Sequence, residues 1–103
     1  MTLYIVRAKP KNDLSGLRKE LELGKISKLR PFGQTLHHGL QNARFDTSNS
    51  YAMWVEEDYC SSPLVMERES MLDKYFDDIT VDQVRSKDEG WNKIQDKPFL
   101  WIR

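Results

Sequence analysis

The pattern of apolar and polar residues along the chain predicts three strands. Leu3–Ala8 (LYIVRA) carries apolar side chains on both faces, which is typical of a strand inside a sheet. A second strand begins at Tyr51, and both of its faces start apolar and end acidic at residues 56–58 (EED). Ile79–Val84 (ITVDQV) has the β-branched composition of a third strand.

A first helix is predicted after Pro10, which ends the first strand. Three leucines then recur at the helical spacing i, i+3 and i+7: Leu14, Leu17 and Leu21. Asn12 or Asp13 can cap the start of this helix, and Gly24 can adopt the left-handed conformation that ends one.

The segment Lys25–Arg44 has two interpretations. Its apolar residues follow a helical stripe, with Ser27 as a cap and Pro31 in the first turn, and this pattern favours a helix. The alternative is a strand over Leu36–Asp46, with DTSNS (residues 46–50) as a hairpin turn into the Tyr51 strand.

A further amphipathic helix is predicted to begin with Ser62 as cap and Pro63 as first helical residue. At about 100° per residue, one stripe of this helix collects the apolar side chains: Leu64, Val65, Met71, Leu72, Tyr75 and Phe76. Arg68 falls in the middle of the stripe, where a charge without a partner costs several kcal/mol unless it reaches the edge of the stripe on its long stem. Glu57, on a strand face that is otherwise apolar, is the predicted partner.

The C-terminal region is predicted to contain a loop and a short apolar segment. Ser86–Trp91 (SKDEGW) reads as a turn or loop. Pro98–Arg103 (PFLWIR) is bulky and apolar, so we expect it to be held against a sheet edge or a partner subunit.

These elements predict an α+β fold, with a small, mainly antiparallel sheet and helices packed on one face. The opening YIVRAKP, the GKI at Gly24–Ile26, and a strand that ends in acids before a helix together resemble the ferredoxin-like, dimeric α/β-barrel superfamily. The resemblance covers most of the chain and implies a homodimer with a pocket between sheet and helices. Members include small enzymes and binding proteins, so it assigns no catalytic residue.

Composition limits the class of protein further. The chain has 103 residues, 39% hydrophobic and 31% charged, as in ordinary globular proteins, and we expect one domain over 1–103. No apolar run approaches the ~20 residues that span a bilayer. The start, MTLYIVRAKPK, lacks the basic region of a secretory signal, and Cys60 has no second cysteine to pair with. We therefore expect a cytoplasmic protein that does not bind membranes.

The charges are segregated along the sequence although the net charge is zero. Residues 1–45 hold nine Lys/Arg and three Asp/Glu, whereas residues 46–103 hold seven and thirteen. This polarity can guide self-association, or it can disappear if the two halves interleave in the fold. The isoelectric point near 6.7 and the lack of a recognised motif argue against nucleic-acid binding.

The candidate catalytic residues are Glu57, Arg68 and His37, with Trp54, Tyr59 and Tyr75 as candidate ligand-binding residues around them. A structural Arg68–Glu57 pair is the competing interpretation. Glu56 and Asp58 share a strand face, where like charges raise the pKa of one carboxyl, as in a general acid.

No metal or cofactor is predicted. His37 and His38 are adjacent and would point about 100° apart on a helix, so they cannot chelate one metal together. Cys60 precedes a helix start but has no evident partner base, and no Gly-rich phosphate loop is present. Two functions stay open: a homodimeric binding or regulatory module for a small molecule, and a small cofactor-independent enzyme.

Overall fold

An antiparallel sheet of four strands forms the centre of the computed structural model, which describes residues 2–58 and 63–101. The strands are β1 (Thr2–Pro10), β2 (Arg44–Asp46), β3 (Tyr51–Asp58) and β4 (Phe76–Val84), in the order β2-β3-β1-β4. β1 lies inside the sheet, where Ile5 faces Val55 on β3 and Asp82 on β4. The predicted α+β class and the antiparallel sheet are confirmed.

Four helices accompany the sheet within these described residues. α1 (Ser15–Glu22) and α2 (Gly33–Gln41) lie between β1 and β2, α3 lies between β3 and β4, and α4 (Lys87–Ile94) follows β4. α3 is continuous but irregular. It consists of an α-helical turn (Val65–Glu67), a π-helical turn (Arg68–Leu72) and a second α-helical turn (Asp73–Tyr75).

Alternation along the strands divides the core into two parts. On one face, Val6 and Trp54 pack with the buried leucines of α1 and α2 and with Leu72 of α3. On the opposite face, Ile5 packs with Ile94 of α4. Most helices therefore lie on one face, as expected, and α4 covers the other.

The loop predicted at Ser86–Trp91 is wrong, because Ser86 caps helix α4. The Ser86 hydroxyl accepts a hydrogen bond from the backbone N–H of Glu89 at 3.1 Å, and two acidic residues in the first turn complement the helix dipole. Gly90 then allows α4 to approach the sheet, since a Cβ there would lie 2.7 Å from Cγ2 of Val55.

The predicted end of α1 is confirmed, but its N-cap residue is Leu14 rather than Asn12 or Asp13. Oδ1 of Asp13 accepts a hydrogen bond from the backbone N–H of Ser15 at 3.0 Å, at the start of the helix. Gly24, just past the end, has φ of 72° in the left-handed region, where glycine carries no steric penalty.

The helix favoured over Lys25–Arg44 forms only at Gly33–Gln41. Residues 25–32 form turns, with a cis peptide bond between Arg30 and Pro31. Ser27 does not cap the helix, because its hydroxyl donates a hydrogen bond to the Gly24 carbonyl at 2.9 Å. After the helix, the alternative interpretation holds in part: β2 is a strand, and a turn leads from it into β3.

Helix α3 starts later than predicted. Leu64 has φ of 59°, in the left-handed region, so the helix begins at Val65 and Pro63 is not its first residue. Ser62, the predicted cap, lies outside the described residues. Instead, Oδ2 of Asp58 accepts a hydrogen bond from the Leu64 N–H at 3.2 Å, which ties the start of α3 to the end of β3.

The π-helical turn changes which side chains α3 buries. A π turn contains more residues than an α turn. The residues before it, such as Glu67, are therefore rotated about the helix axis relative to Met71 and Leu72. As a result Glu67 is 0% exposed and Arg68 lies outside the buried stripe. The prediction that Arg68 occupies the centre of the apolar stripe is therefore wrong.

The C-terminal segment is held against the β2 edge of the sheet. The Phe45 N–H donates to the Pro98 carbonyl and the Leu100 N–H donates to the Ala43 carbonyl, both at 2.8 Å. Of the two predicted positions for this segment, the sheet edge is the one observed. β4 forms the opposite edge and has no further strand beside it among the described residues.

Candidate functional site

The predicted Arg68–Glu57 pair does not form. Nε of Arg68 lies 3.1 Å from Oδ1 of Asp73, one turn further along α3, and both side chains are about half exposed. Glu57, whose side chain is 15% exposed, pairs with Lys87 at the start of α4. The phase shift in α3 explains this outcome, since Arg68 points out of the core rather than toward β3.

Glu57 instead lines a cleft of about 300 Å³ between α2, β3 and α4. We call this the polar cleft, and its residues are Pro31, Gln34, Thr35, His38, Val55, Glu57, Lys87 and Trp91. His38 lines it, edge-on to Trp91 with ring centroids 6.3 Å apart. His37 does not line it, and its buried Nδ1 has no hydrogen-bond partner.

The three aromatic candidates do not surround a common pocket. Trp54 is 0% exposed, and its ring centroid lies 5.4 Å from that of Phe76. Tyr75 lines a separate pocket beside α1. Burial and a hydrogen bond donated to Glu20 raise the pKa of the Tyr75 hydroxyl to about 12. Tyr59 lies outside the described residues.

Three carboxyl groups are buried where β3 meets α3. Glu56 is 1% exposed, Asp58 is 2% exposed and Glu67 is 0% exposed. Burial, the adjoining Glu67 carboxyl and the charge of Asp58 raise the pKa of Glu56 well above its usual value, although Trp54 Nε1 donates a hydrogen bond to Oε1 at 2.8 Å. The direction expected for one acid on this strand face holds for Glu56, but burial and Glu67 contribute more to the rise in its pKa than the charge of Asp58.

A pocket larger than the polar cleft lies elsewhere, beyond the end of β1. This amphipathic pocket has a volume of about 480 Å³. Its apolar walls are Pro10, Leu14, Phe45, Leu100 and Trp101. Its polar groups are Lys9, Asn12, Asp13, Ser15, Arg18 and Ser50. The break after Pro10 and the start of α1 form one side, and β2 with the C-terminal segment forms the other.

Hydrogen bonds hold the C-terminal wall of the amphipathic pocket in place. Nε1 of Trp101 donates to the Leu40 carbonyl at 2.7 Å, which fixes the indole ring. The Leu100 N–H bond to Ala43 continues the contact with β2. The pocket is therefore largely formed before any ligand arrives, which lowers the entropic cost of binding.

The charged groups of the amphipathic pocket differ in whether they already have a partner. Two hydrogen bonds from Ser15 hold the pKa of Asp13 below its usual value, so this carboxylate already has donors. Arg18 forms an ion pair with Glu22, with Nε 3.3 Å from Oε1. Lys9 is exposed and forms no ion pair with any residue in the ranges 2–58 and 63–101.

The sequence did not indicate Glu67 or the amphipathic pocket. Glu67 was missed because an ideal helical wheel places it at the margin of the apolar stripe and Arg68 at its centre. The bulky Phe99–Trp101 segment was the one signal for the pocket, and it showed only that the segment packs against something.

Comparison with protein-family models, curated proteins and solved structures finds no match for this chain. Across residues 2–58 and 63–101, no helix is long and apolar enough to cross a membrane. Within the same ranges, no group of three or more His, Cys, Asp or Glu side chains is arranged to hold a metal ion.

Proposed function

We propose that the protein is a non-catalytic binding module and that the amphipathic pocket takes a small aromatic or aliphatic carboxylate. The observation that carries this proposal is a pocket with apolar walls, lined also by Lys9, which forms no ion pair with any described residue. Sites for small molecules are commonly concave and mostly apolar, with a few polar groups that fix the ligand's orientation.

Size and charge both suit such a ligand. A volume of about 480 Å³ falls within the common range for small-molecule pockets of roughly 300–1,000 Å³. The flat side chains of Phe45 and Trp101 suit a ring or a short chain, and the Lys9 ammonium suits a carboxylate. Asp13 disfavours a second anionic group, so a monoanion fits best.

The test compares 2-naphthoate with its uncharged counterpart, 2-naphthalenemethanol. Titration is followed by the NMR signal of the Trp101 indole N–H and by calorimetry. We expect both compounds to shift the indole signal and the naphthoate to bind about fivefold more tightly, as an exposed ion pair worth ~1 kcal/mol implies.

The variant Lys9→Gln should reduce naphthoate affinity to that of the alcohol. Lys28→Gln, which removes the same charge from an exposed position outside the described pockets, serves as the matched control and should change neither affinity. An indole signal that neither compound moves, or a preference for naphthoate that persists in Lys9→Gln, would refute the proposal.

A cofactor-independent enzyme is the second candidate, supported by Glu57 and His38 lining the same polar cleft. A carboxylate and an imidazole in one cleft are the side chains that most often transfer protons in catalysis. The test incubates a metabolite extract with the wild type and with Glu57→Gln and compares products by mass spectrometry. A product that forms only with Glu57 present would support catalysis, and identical profiles would exclude it for that extract.

We also propose the ferredoxin-like assignment, a homodimer and a cytoplasmic location. The element order β1-α-β2-β3-α3-β4 and the strand order β2-β3-β1-β4 support the first of these. The homodimer rests on the resemblance alone, since the C-terminal segment on which association was expected packs against its own β2. Sedimentation velocity at tens of micromolar tests it, and a monomer there would contradict it.

A further inference from the structure

Glu56 and Glu67 place two carboxyl groups against each other inside the core. Glu56 comes from β3 and Glu67 from the first turn of α3, and neither is more than 1% exposed. Oε2 of Glu56 and both oxygens of Glu67 are buried and accept no hydrogen bond from any described N–H or hydroxyl donor. Each of these two carboxyl groups can therefore be the hydrogen-bond partner that the other needs.

Within residues 2–58 and 63–101, no lysine or arginine forms an ion pair with Glu56 or Glu67. From β3, Asp58 adds a negative charge and Trp54 donates one hydrogen bond to Oε1 of Glu56. From α2, His37 is partly buried and its Nδ1 has no partner, whereas His38 is exposed. Tyr4 faces Glu56 across the β1–β3 ladder. Two ionised carboxylates here would be buried without a counter-ion, at a cost of several kcal/mol.

We propose that Glu56 and Glu67 share one proton, and that this proton holds helix α3 against strand β3. With the proton on Oε2, Glu56 donates a hydrogen bond to Glu67 while Oε1 still accepts from Trp54. The arrangement satisfies the otherwise unpaired oxygen of Glu56 and one of Glu67, and it leaves one negative charge rather than two.

The direction of the pH dependence follows from the raised pKa of Glu56. The folded chain keeps a proton that the unfolded chain loses at the ordinary glutamate pKa. The stabilisation from the shared proton is complete below the ordinary glutamate pKa. It is lost as the pH rises from that value to the pKa of the pair in the folded chain. Over that interval, loss of one proton lowers the folding equilibrium constant by about tenfold per pH unit. Opening of α3 away from β3 releases the same proton, so this local opening also becomes easier over the interval.

The experiment measures urea unfolding of the full chain at a series of pH values, with amide hydrogen exchange as a local readout of α3. The wild type should lose stability as the pH rises above the ordinary glutamate pKa, and the amides of α3 should lose protection first. Glu67→Gln replaces the shared proton by an amide donor that does not titrate. This variant should fold and show a flatter pH profile.

Glu56→Gln should flatten the profile in the same way, so either variant suffices if the other fails to fold. Glu69→Gln is the matched control, because it removes an exposed glutamate from the same helix, and its profile should follow the wild type. A wild-type profile that does not fall with pH would overturn the proposal. A loss of stability with rising pH that persists in both Glu56→Gln and Glu67→Gln would also overturn it.

Discussion

Gly39 shows how a single missing side chain sets the distance between α2 and the sheet. A Cβ at this position would lie 2.8 Å from Cδ1 of Trp54 and 2.8 Å from the Val55 carbonyl oxygen. Because the second contact is with backbone, the neighbour cannot turn away. We expect Gly39→Ala to destabilise the fold by about 1–3 kcal/mol, the usual range for overpacking, measured by urea unfolding.

The matched control for this prediction is Gly16→Ala. A Cβ on Gly16 would lie 3.5 Å from Cε1 of Tyr75, an ordinary van der Waals distance, and alanine favours the helical conformation. We expect no loss, or a gain of up to ~1 kcal/mol. Equal losses in the two variants would contradict the prediction, because they would show that the close approach of α2 to Trp54 is not what sets the effect at Gly39.

The sequence predicts Arg68 inside the core, whereas the structure places it at the surface. Its ion pair with Asp73 joins side chains that are 45% and 55% exposed. Exposed pairs contribute little, so Arg68→Ala should change the free energy of unfolding by no more than about 1 kcal/mol. A loss of several kcal/mol, together with coupling to Glu57 in a double-mutant cycle, would show instead that Arg68 and Glu57 form an ion pair.

At the scale of elements, the sequence predicted what depends on local pattern. The positions of β1, β3 and β4 follow from runs of apolar residues, and α1 follows from its leucines and the glycine after it. The two acids on one strand face predicted the direction of the pKa shift of Glu56, but not its main causes, which are burial and Glu67 on α3. These predictions needed only the alternation of a strand and the period of a helix.

Two of the errors concern features that the local pattern of apolar residues does not show. A helical wheel drawn at a constant 100° per residue cannot show the π turn that rotates Glu67 into the core. β2 is only three residues long, and it exists because β3 and the C-terminal segment lie on either side of it. Helix α4 was missed because its capping serine was interpreted as part of a loop.

At the scale of the whole molecule, the C-terminal segment completes the fold. It covers the β2 edge, and the Arg44 guanidinium lies 3.8 Å above the centre of the Phe99 ring. Removing residues 98–103 should therefore lower the unfolding midpoint in urea and expose the Leu40 carbonyl. Sedimentation of the shortened chain distinguishes this effect from loss of a dimer, since a folding defect appears without any change in the mass of the folded form.

The segregation of charge along the sequence is partly resolved by the sheet. Arg7 on β1 pairs with Asp82 on β4, and Lys11 lies 3.9 Å from Asp77. Both pairs join the basic first half of the chain to the acidic second half. The antiparallel β1–β4 ladder thus places opposite charges together, and the interleaving interpretation accounts for this part of the polarity.

The two edges of the sheet have different consequences for assembly with other chains. The C-terminal segment closes the β2 side, so an incoming strand can add only beside β4, among the strands that the structure describes. β4 carries Asp77, Asp78 and Asp82, and two copies aligned there would bring carboxylates together. Aggregation by strand addition is therefore confined to the β4 edge, where the acidic side chains of two copies would oppose their pairing.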